Sequence, residues 1–171
     1  MNDAIHKQLE ESRKHLLNVI ALLSTEEFNF KPGTRDWSIA QVCHHLFLTE
    51  RATTKAIMWG LKEDKSTTQE RKNMSILLDR SIKRKAPSMV EPDVKAFNVL
   101  EINNLLNDSR EKLLAFLGAI ENPSILKEKS VNHPALGDLP LDQWIEQIYL
   151  HEQRHTEQIK DIRELLNARY Q

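Results

Sequence analysis

PLDQWIEQIYLHEQRHTEQIKDIRELL, residues 140–166, carries the pattern that decides the fold. Trp144, Ile148, Ile159, Ile162 and Leu166 recur at helical spacing. Pro140 stands where a proline can open a helix, so one long helix is expected to run nearly to the C-terminus. On a wheel of about 100° per residue with His151 at the origin, His155 falls at about 40°, Trp144 and Ile162 at about 20°, and Ile148 at about 60°. Both imidazoles therefore lie inside the apolar stripe. A buried histidine needs partners for its ring nitrogens, and two that lie one turn apart on one face can reach a single ion.

Working outward, three more amphipathic segments appear. Ile5, Leu9, Leu16, Ile20 and Leu23 mark a first helix over residues 4–23, followed by a polar, turn-prone stretch from Ser24 to Pro32. Asp36, Trp37 and Ser38 offer an N-cap for a second helix, which carries Ile39, Val42, Leu46 and Thr53 on one face and ends about Gly60. Ile102, Leu106, Leu113, Leu117 and Ile120 trace a third helix that stops before Asn122 and Pro123. A second irregular segment with His133, Pro134 and Gly137 leads into the fourth. Between Leu61 and Phe97 the pattern breaks down, with Pro87 and Pro92 interrupting any continuous helix. That crossover is expected to hold a short helix around residues 76–82 or to serve as a cover over a site, because long structureless loops are uncommon in compact domains. Its basic run Arg80, Lys83, Arg84 and Lys85 reads as solvated surface. No internal repeat is evident. The expected fold is all-α, a four-helix bundle with a long crossover between its second and third helices, forming one domain across residues 1–171.

Composition supports this reading. The chain has 171 residues, 40% hydrophobic and 29% charged, with four glycines and six prolines, which disfavours both disorder and a turn-rich β-sandwich. Lys and Arg number 24 against 25 Asp and Glu, leaving no field to attract nucleic acid or an acidic membrane. The N-terminus has no basic start followed by an apolar core, and no apolar run approaches the roughly 18 residues of a membrane span. The single cysteine, Cys43, excludes an internal disulfide framework and agrees with a reducing, cytoplasmic location. Cys43 lies mid-helix without a thiolate stabiliser and reads as core, not as a nucleophile.

The second helix carries adjacent histidines that point about 100° apart. With Val42 at the origin of the wheel, the apolar stripe centres at about 40°, His45 falls at about −60° and His44 at about 200°. His45 borders the core and is the expected third ligand, whereas His44 is expected to face away. Three protein nitrogens are the ligand count of a catalytic zinc site with an open position. His133 and His15 are not expected to bind metal, and His6 is expected to be solvated. Residues 151–155 also satisfy the metalloprotease pattern of two histidines around a glutamate. Such a protease needs a further ligand, for which Glu164 on the same helix is the candidate, and an edge strand for peptide binding, and no strand pattern is evident. The transferable element is Glu152, which reads either as a general base or orienter for the metal centre or as a solvent-exposed helix glutamate beside Arg154. Gln158, at about −20° on the wheel of the last helix, points toward the same cavity.

These motifs together resemble the DinB-like (YfiT-type) superfamily of four-helix-bundle metalloproteins. The resemblance runs through Trp37, Ser38 and Ile39 to His45 followed by Leu46, through the proline-containing crossover from Lys85 to Pro92, through His133 to Gly137 with Leu141 and Trp144, and into His151, His155 and Gln158. It implies a bundle with one divalent ion of nickel, zinc or iron type on His45, His151 and His155, and often a homodimer. It leaves the reaction open between a metal-dependent hydrolase and a transferase that uses a low-molecular-weight thiol. The expected activity is therefore activation of water or such a thiol against a small-molecule substrate, with zinc or nickel as the preferred metal. The alternative is a metal-binding stress-response or interaction protein without turnover, or histidines that only satisfy one another. Trp37 and Trp144 read as core, and Trp59 is undecided.

Overall fold

The computed structural model describes residues 3–63, 70–81 and 85–169. Helix α1 spans Asp3–Ile20, and it ends before residue 23 because the chain turns and leaves Leu22 in solvent. The polar stretch that follows contains a short helix, α2 (Thr25–Asn29), closed by a capping box in which Ser24 and Glu27 satisfy each other's backbone N–H. The same device opens α3 (Ile39–Lys62), where Ser38 and Gln41 form the box. Helix α4 spans Val99–Gly118 and is capped by Asn98. The second irregular segment folds into α5 (Ile125–Glu128) and an antiparallel hairpin of β1 (Ser130–His133) and β2 (Gly137–Pro140). Its loop closes through Gly137 at φ 70°, a left-handed conformation that glycine adopts without Cβ strain. Helix α6 spans Leu141–Arg169.

The four long helices form the bundle, and their directions follow from which residues meet. Helices α1 and α6 run parallel, since Ser12 meets Glu152 and Val19 meets Arg163. Helix α3 runs parallel to α4, since His44 packs on Phe97 just before α4 while Glu50 meets Ser109 further on. Helices α3 and α6 are antiparallel, with Gly60 against Leu141 at one end and His45 against His155 at the other. Joining the parallel pair α3 and α4 requires a connection as long as the helices, about 1.5 Å per residue, which is the role of residues 63–98.

That crossover is tied to α6. Lys72 donates its backbone N–H to Gln143 Oε1 and accepts from Gln143 Nε2, both at 2.8 Å. Arg71 pairs with Asp142 and Glu146, and Arg154 donates to the carbonyls of Leu77 and Asp79. The short helix expected at 76–82 is not formed over Leu78–Ser81, and Ile82 lies outside the described residues; instead a 3-10 turn lies at Met74–Leu77, with a second at Ser88–Val90. Arg80 of the basic run is not simply solvated, for it pairs with Asp161, while Lys83 and Arg84 lie outside the described residues. No helix among the described residues is long and apolar enough to cross a membrane.

The apolar core forms two clusters along the bundle, one around Leu16, Phe28, Val42 and Ile159, the other around Leu9, Ile57, Leu113 and Ile145. In the second, α3 meets the hairpin so closely that a Cβ on Gly60 would stand 2.5 Å from Val131 Cγ2 and 2.8 Å from Leu141 Cδ2. Gly60→Ala is therefore expected to destabilise by about 1 kcal/mol, since an overpacking cost of roughly 1–3 kcal/mol exceeds the ~1 kcal/mol gained in helix propensity. Gly118→Ala, whose Cβ would meet nothing within 4 Å, is expected to leave stability equal or higher. Urea midpoints of the two variants should move in opposite directions or differ by at least that amount.

Candidate metal centre

Helix α6 brings His151 and His155 one turn apart, and α3 presents His45 to them from across the bundle seam. One ring nitrogen from each lies within 4.8 Å of the other two. The Nε2 atoms of His151 and His155 stand 3.1 Å apart, and the His45 ring centroid is 5.1 Å from each of theirs. A tetrahedral ion with metal–nitrogen bonds of about 2.0–2.1 Å separates its ligand atoms by roughly 3.3 Å, so the pair on α6 already has the spacing of two such ligands.

The far sides of the rings decide the tautomers. His45 Nδ1 donates to the Val90 carbonyl at 2.7 Å, and His155 Nδ1 donates to Gln158 Oε1 at 2.7 Å. With the proton held on Nδ1, each Nε2 keeps its lone pair facing the shared point, the arrangement that outer partners impose on metal-binding histidines. Gln158 thus serves as an orienter of His155. The Val90 carbonyl was not foreseeable from residue types, because it is a backbone atom in the crossover. Trp37 packs on the His45 ring at 5.0 Å between centroids.

Burial and mutual repulsion keep these rings neutral. Desolvation is the largest cause for all three. It lowers His45 despite the Val90 bond, drives His151 well below its ordinary range with help from His155 and His45, and brings His155 down to about 3. Neutral imidazole is the form that ligates.

The other histidines go elsewhere. His44 does not face solvent as expected. It is buried between Phe47 and Phe97, and its Nδ1 accepts from the Asp93 backbone N–H. The wheel fails here because the segment from Asp93 to Phe97 covers the outer side of α3. His133 packs on Trp144, and its Nδ1 accepts from the N–H groups of Ala135 and Leu136, which shapes the hairpin turn. His15 is exposed, His6 is half-buried beside Glu10, and Glu164 is exposed.

Glu152 is only 2% exposed, so it is not a solvent-facing glutamate beside Arg154. Its oxygens receive Ser12 Oγ, Arg13 Nε (2.6 Å) and Arg110 Nη2 (3.2 Å). On the other side of the core Glu50 receives Ser109 Oγ, Arg110 Nε (2.6 Å) and Arg13 Nη2 (2.9 Å). Arg13 Nη1 donates to the Leu106 carbonyl and Arg110 Nη1 to that of Leu9. The cluster thus has an internal two-fold character. Exchanging Leu9, Ser12 and Arg13 of α1 with Leu106, Ser109 and Arg110 of α4, and Glu50 with Glu152, reproduces each contact. The correspondence spans only a few positions per helix and leaves no repeat visible in the sequence. Two cations facing two anions leave the cluster neutral, and for Glu50 the two guanidiniums and Ser109 outweigh desolvation and hold its carboxyl below the usual range.

Comparison with known proteins agrees with this architecture. Residues 8–159 match the model of the DinB superfamily. Over 154 residues the chain is 32% identical to YuaE of Bacillus subtilis (strain 168), a protein described as uncharacterized, covering 90% of this chain and 94% of that one. Among solved structures it is similar to YfiT from Bacillus subtilis, described as "a probable metal-dependent hydrolase with an unusual four-helix bundle topology", at a TM-score of 0.68 and 15% identity over 96% of this chain and 87% of YfiT. It is similar also to TT2238, described as a four-helix bundle protein, at a TM-score of 0.63 and 20% identity over 93% of this chain and 98% of that one. At these identities the two structures speak for the fold, whereas the family match spans both α3 and the paired histidines of α6, and with it the chain belongs to the DinB superfamily.

Proposed function

We propose that this protein is a metal-dependent enzyme in which His45, His151 and His155 hold one divalent ion, zinc or nickel by preference, and act on a small molecule. The observation that carries the reading is the pair of outward bonds from His45 Nδ1 to Val90 O and from His155 Nδ1 to Gln158 Oε1, which leave unprotonated Nε2 atoms converging from two helices. Mutual satisfaction would account for the His151–His155 contact and the tautomer of His155, but it would leave the Nε2 lone pair of His45 without a donor. A bound ion with three protein ligands would supply Lewis acidity at an open position and lower the pKa of water or of a low-molecular-weight thiol there. The description of YfiT favours hydrolysis as the first chemistry to assay. Glu152, with its oxygens already shared among Ser12, Arg13 and Arg110, acts in this reading as a positioning residue that fixes the helix carrying His151, and not as the base.

Elemental analysis of untagged protein is expected to find one zinc or nickel per chain, reduced at least tenfold in His45→Ala and His155→Ala. Equal metal in wild type and both variants, or none in a wild type supplied with zinc and with nickel, overturns the assignment. With the metal in place, ester, amide and lactone panels run against thiol-dependent turnover of a chlorinated electrophile separate the two chemistries.

A further inference from the structure

Two of the three candidate ligands have a partner on the far side of the ring, and His151 has none among the described residues. Its Nε2 stands 3.1 Å from His155 Nε2, and its Nδ1 meets no hydrogen-bond partner among the described residues. Beside it, at the seam of α3 and α6, lies a cavity of about 10 Å³ whose polar lining is Arg13, Thr49, Glu50, His151 and Glu152. The hydroxyl of Thr49 is buried without a hydrogen-bond partner among the described residues. This is unusual for a helical threonine, and Thr54 and Thr156 show the ordinary behaviour by donating at 2.8 Å to the carbonyls of Glu50 and Glu152, four residues back. Burying an orphan hydroxyl costs on the order of 1–3 kcal/mol, so a threonine that declines the local bond implies a partner in the cavity.

We propose that this cavity binds one ordered water that links His151 Nδ1 to Thr49 Oγ1 and to the buried carboxylates. The volume matches the ~10–15 Å³ that a single water centre needs, and such a water needs at least two polar partners. His151 Nδ1–H donates to it, Thr49 bonds to it, and it donates to a carboxylate. Glu50 Oε1 and Glu152 Oε1 each receive one donor, Arg110 Nε and Arg13 Nε respectively, and so keep a lone pair free. The water would give His151 what Val90 and Gln158 give the other two, a fixed Nδ1 proton and an Nε2 directed at the common point. It also makes the charge cluster an outer partner of the histidine centre, with Thr49 as a positioning residue. The water site stands on the cavity and the orphan hydroxyl alone, whereas its effect on metal affinity rests on the three-histidine reading above.

High-resolution crystal structures of the wild type and of Thr49→Val, combined with zinc affinities of these two and Thr49→Ser, test it. The wild type is expected to show a density peak within hydrogen-bond distance of Thr49 Oγ1 and His151 Nδ1 that Thr49→Val lacks. Loss of an outer partner weakens metal binding by roughly 10–100-fold. Thr49→Val should fall near the lower end, with unchanged urea stability in chelator, and Thr49→Ser should restore affinity. A wild type without the peak, or with the Thr49 hydroxyl bonded to the His45 carbonyl, overturns the water site. A peak with zinc affinity changed less than twofold overturns the positioning role. If the peak is present but His45→Ala and His155→Ala keep full metal, the histidine-centre reading has failed and the water site stands.

Discussion

Arg110→Met is expected to lower the unfolding free energy of the protein in chelator by about 3–5 kcal/mol, the cost of removing one partner from a buried charge set. Wild type balances Arg13 and Arg110 against Glu50 and Glu152 with all four side chains nearly out of solvent. Without Arg110, Glu50 loses its 2.6 Å partner, Glu152 loses the 3.2 Å contact and the Leu9 carbonyl loses a donor. One guanidinium then faces two buried carboxylates. The excess negative charge is the source of the penalty, so removing it should reverse most of the loss. Arg110→Met combined with Glu50→Leu leaves the neutral pair of Arg13 and Glu152, and apolar side chains of similar volume in place of a buried ion pair are often neutral in stability. The double variant is expected to recover more than half of the lost free energy. Urea titrations at pH 7.5 decide the matter. A loss below about 1 kcal/mol for Arg110→Met would show that the cluster is open to water and energetically idle, and a double variant as unstable as the single would show that excess negative charge is not the source of the penalty.

The same cluster shows what was legible in the sequence. The four long helices and three converging histidines followed from apolar spacing, because a stripe fixes which side of a helix is inward and His45, His151 and His155 lie on or beside one. Yet every apolar stripe contains a gap, of seven from Leu9 to Leu16, Leu46 to Thr53 and Leu106 to Leu113, and of eleven from Ile148 to Ile159, where the two histidines stand. Arg13, Glu50, Arg110 and Glu152 each occupy a helical core step inside one of those gaps. A charge of either sign at the same level of four inward stripes, two positive and two negative, was a readable signal of a balanced buried cluster. Reading apolar positions alone treats such residues as interruptions. By contrast, the Val90 carbonyl, the cover over His44 and the seating of the crossover on Gln143 depend on backbone atoms and long-range docking, which no periodicity encodes. The hairpin was missed for a related reason, since strands of four residues are too short for alternation to stand out.

Metal-free protein is expected to lose stability steeply as the pH falls from 7 to 5, through the histidines first. His45, His151 and His155 all titrate below the ordinary histidine value of 6.5 when folded, His155 at about 3, chiefly because burial penalises the imidazolium. Unfolding releases them to that ordinary value. Below pH 6.5 the unfolded chain therefore binds more protons than the native one, and stability falls with falling pH by about 1.4 kcal/mol per pH unit for each histidine protonated only on unfolding. His151 and His155, which lie furthest down, together contribute about 3 kcal/mol per pH unit over this range, and His45 adds to it until the pH reaches its own lowered value. Against a total of roughly 5–15 kcal/mol for a domain, the urea midpoint should fall steeply. Only below pH 4.5 does Glu50 contribute, since a carboxyl held beneath its ordinary range by Arg13 and Arg110 against desolvation gives up its stabilisation as it protonates. The order of events separates the two buried systems: His155→Ala should flatten the slope below pH 6.5 by about 1.4 kcal/mol per pH unit, with His44, also lowered by burial, left in place, and should leave the Glu50 limb unchanged. A midpoint independent of pH from 7 to 5 would mean that the imidazoles are hydrated or mobile in the folded protein. The same neutral rings that make the fold sensitive to acid are what would let it take up a cation at neutral pH, because no proton has to leave two of the three converging nitrogens first.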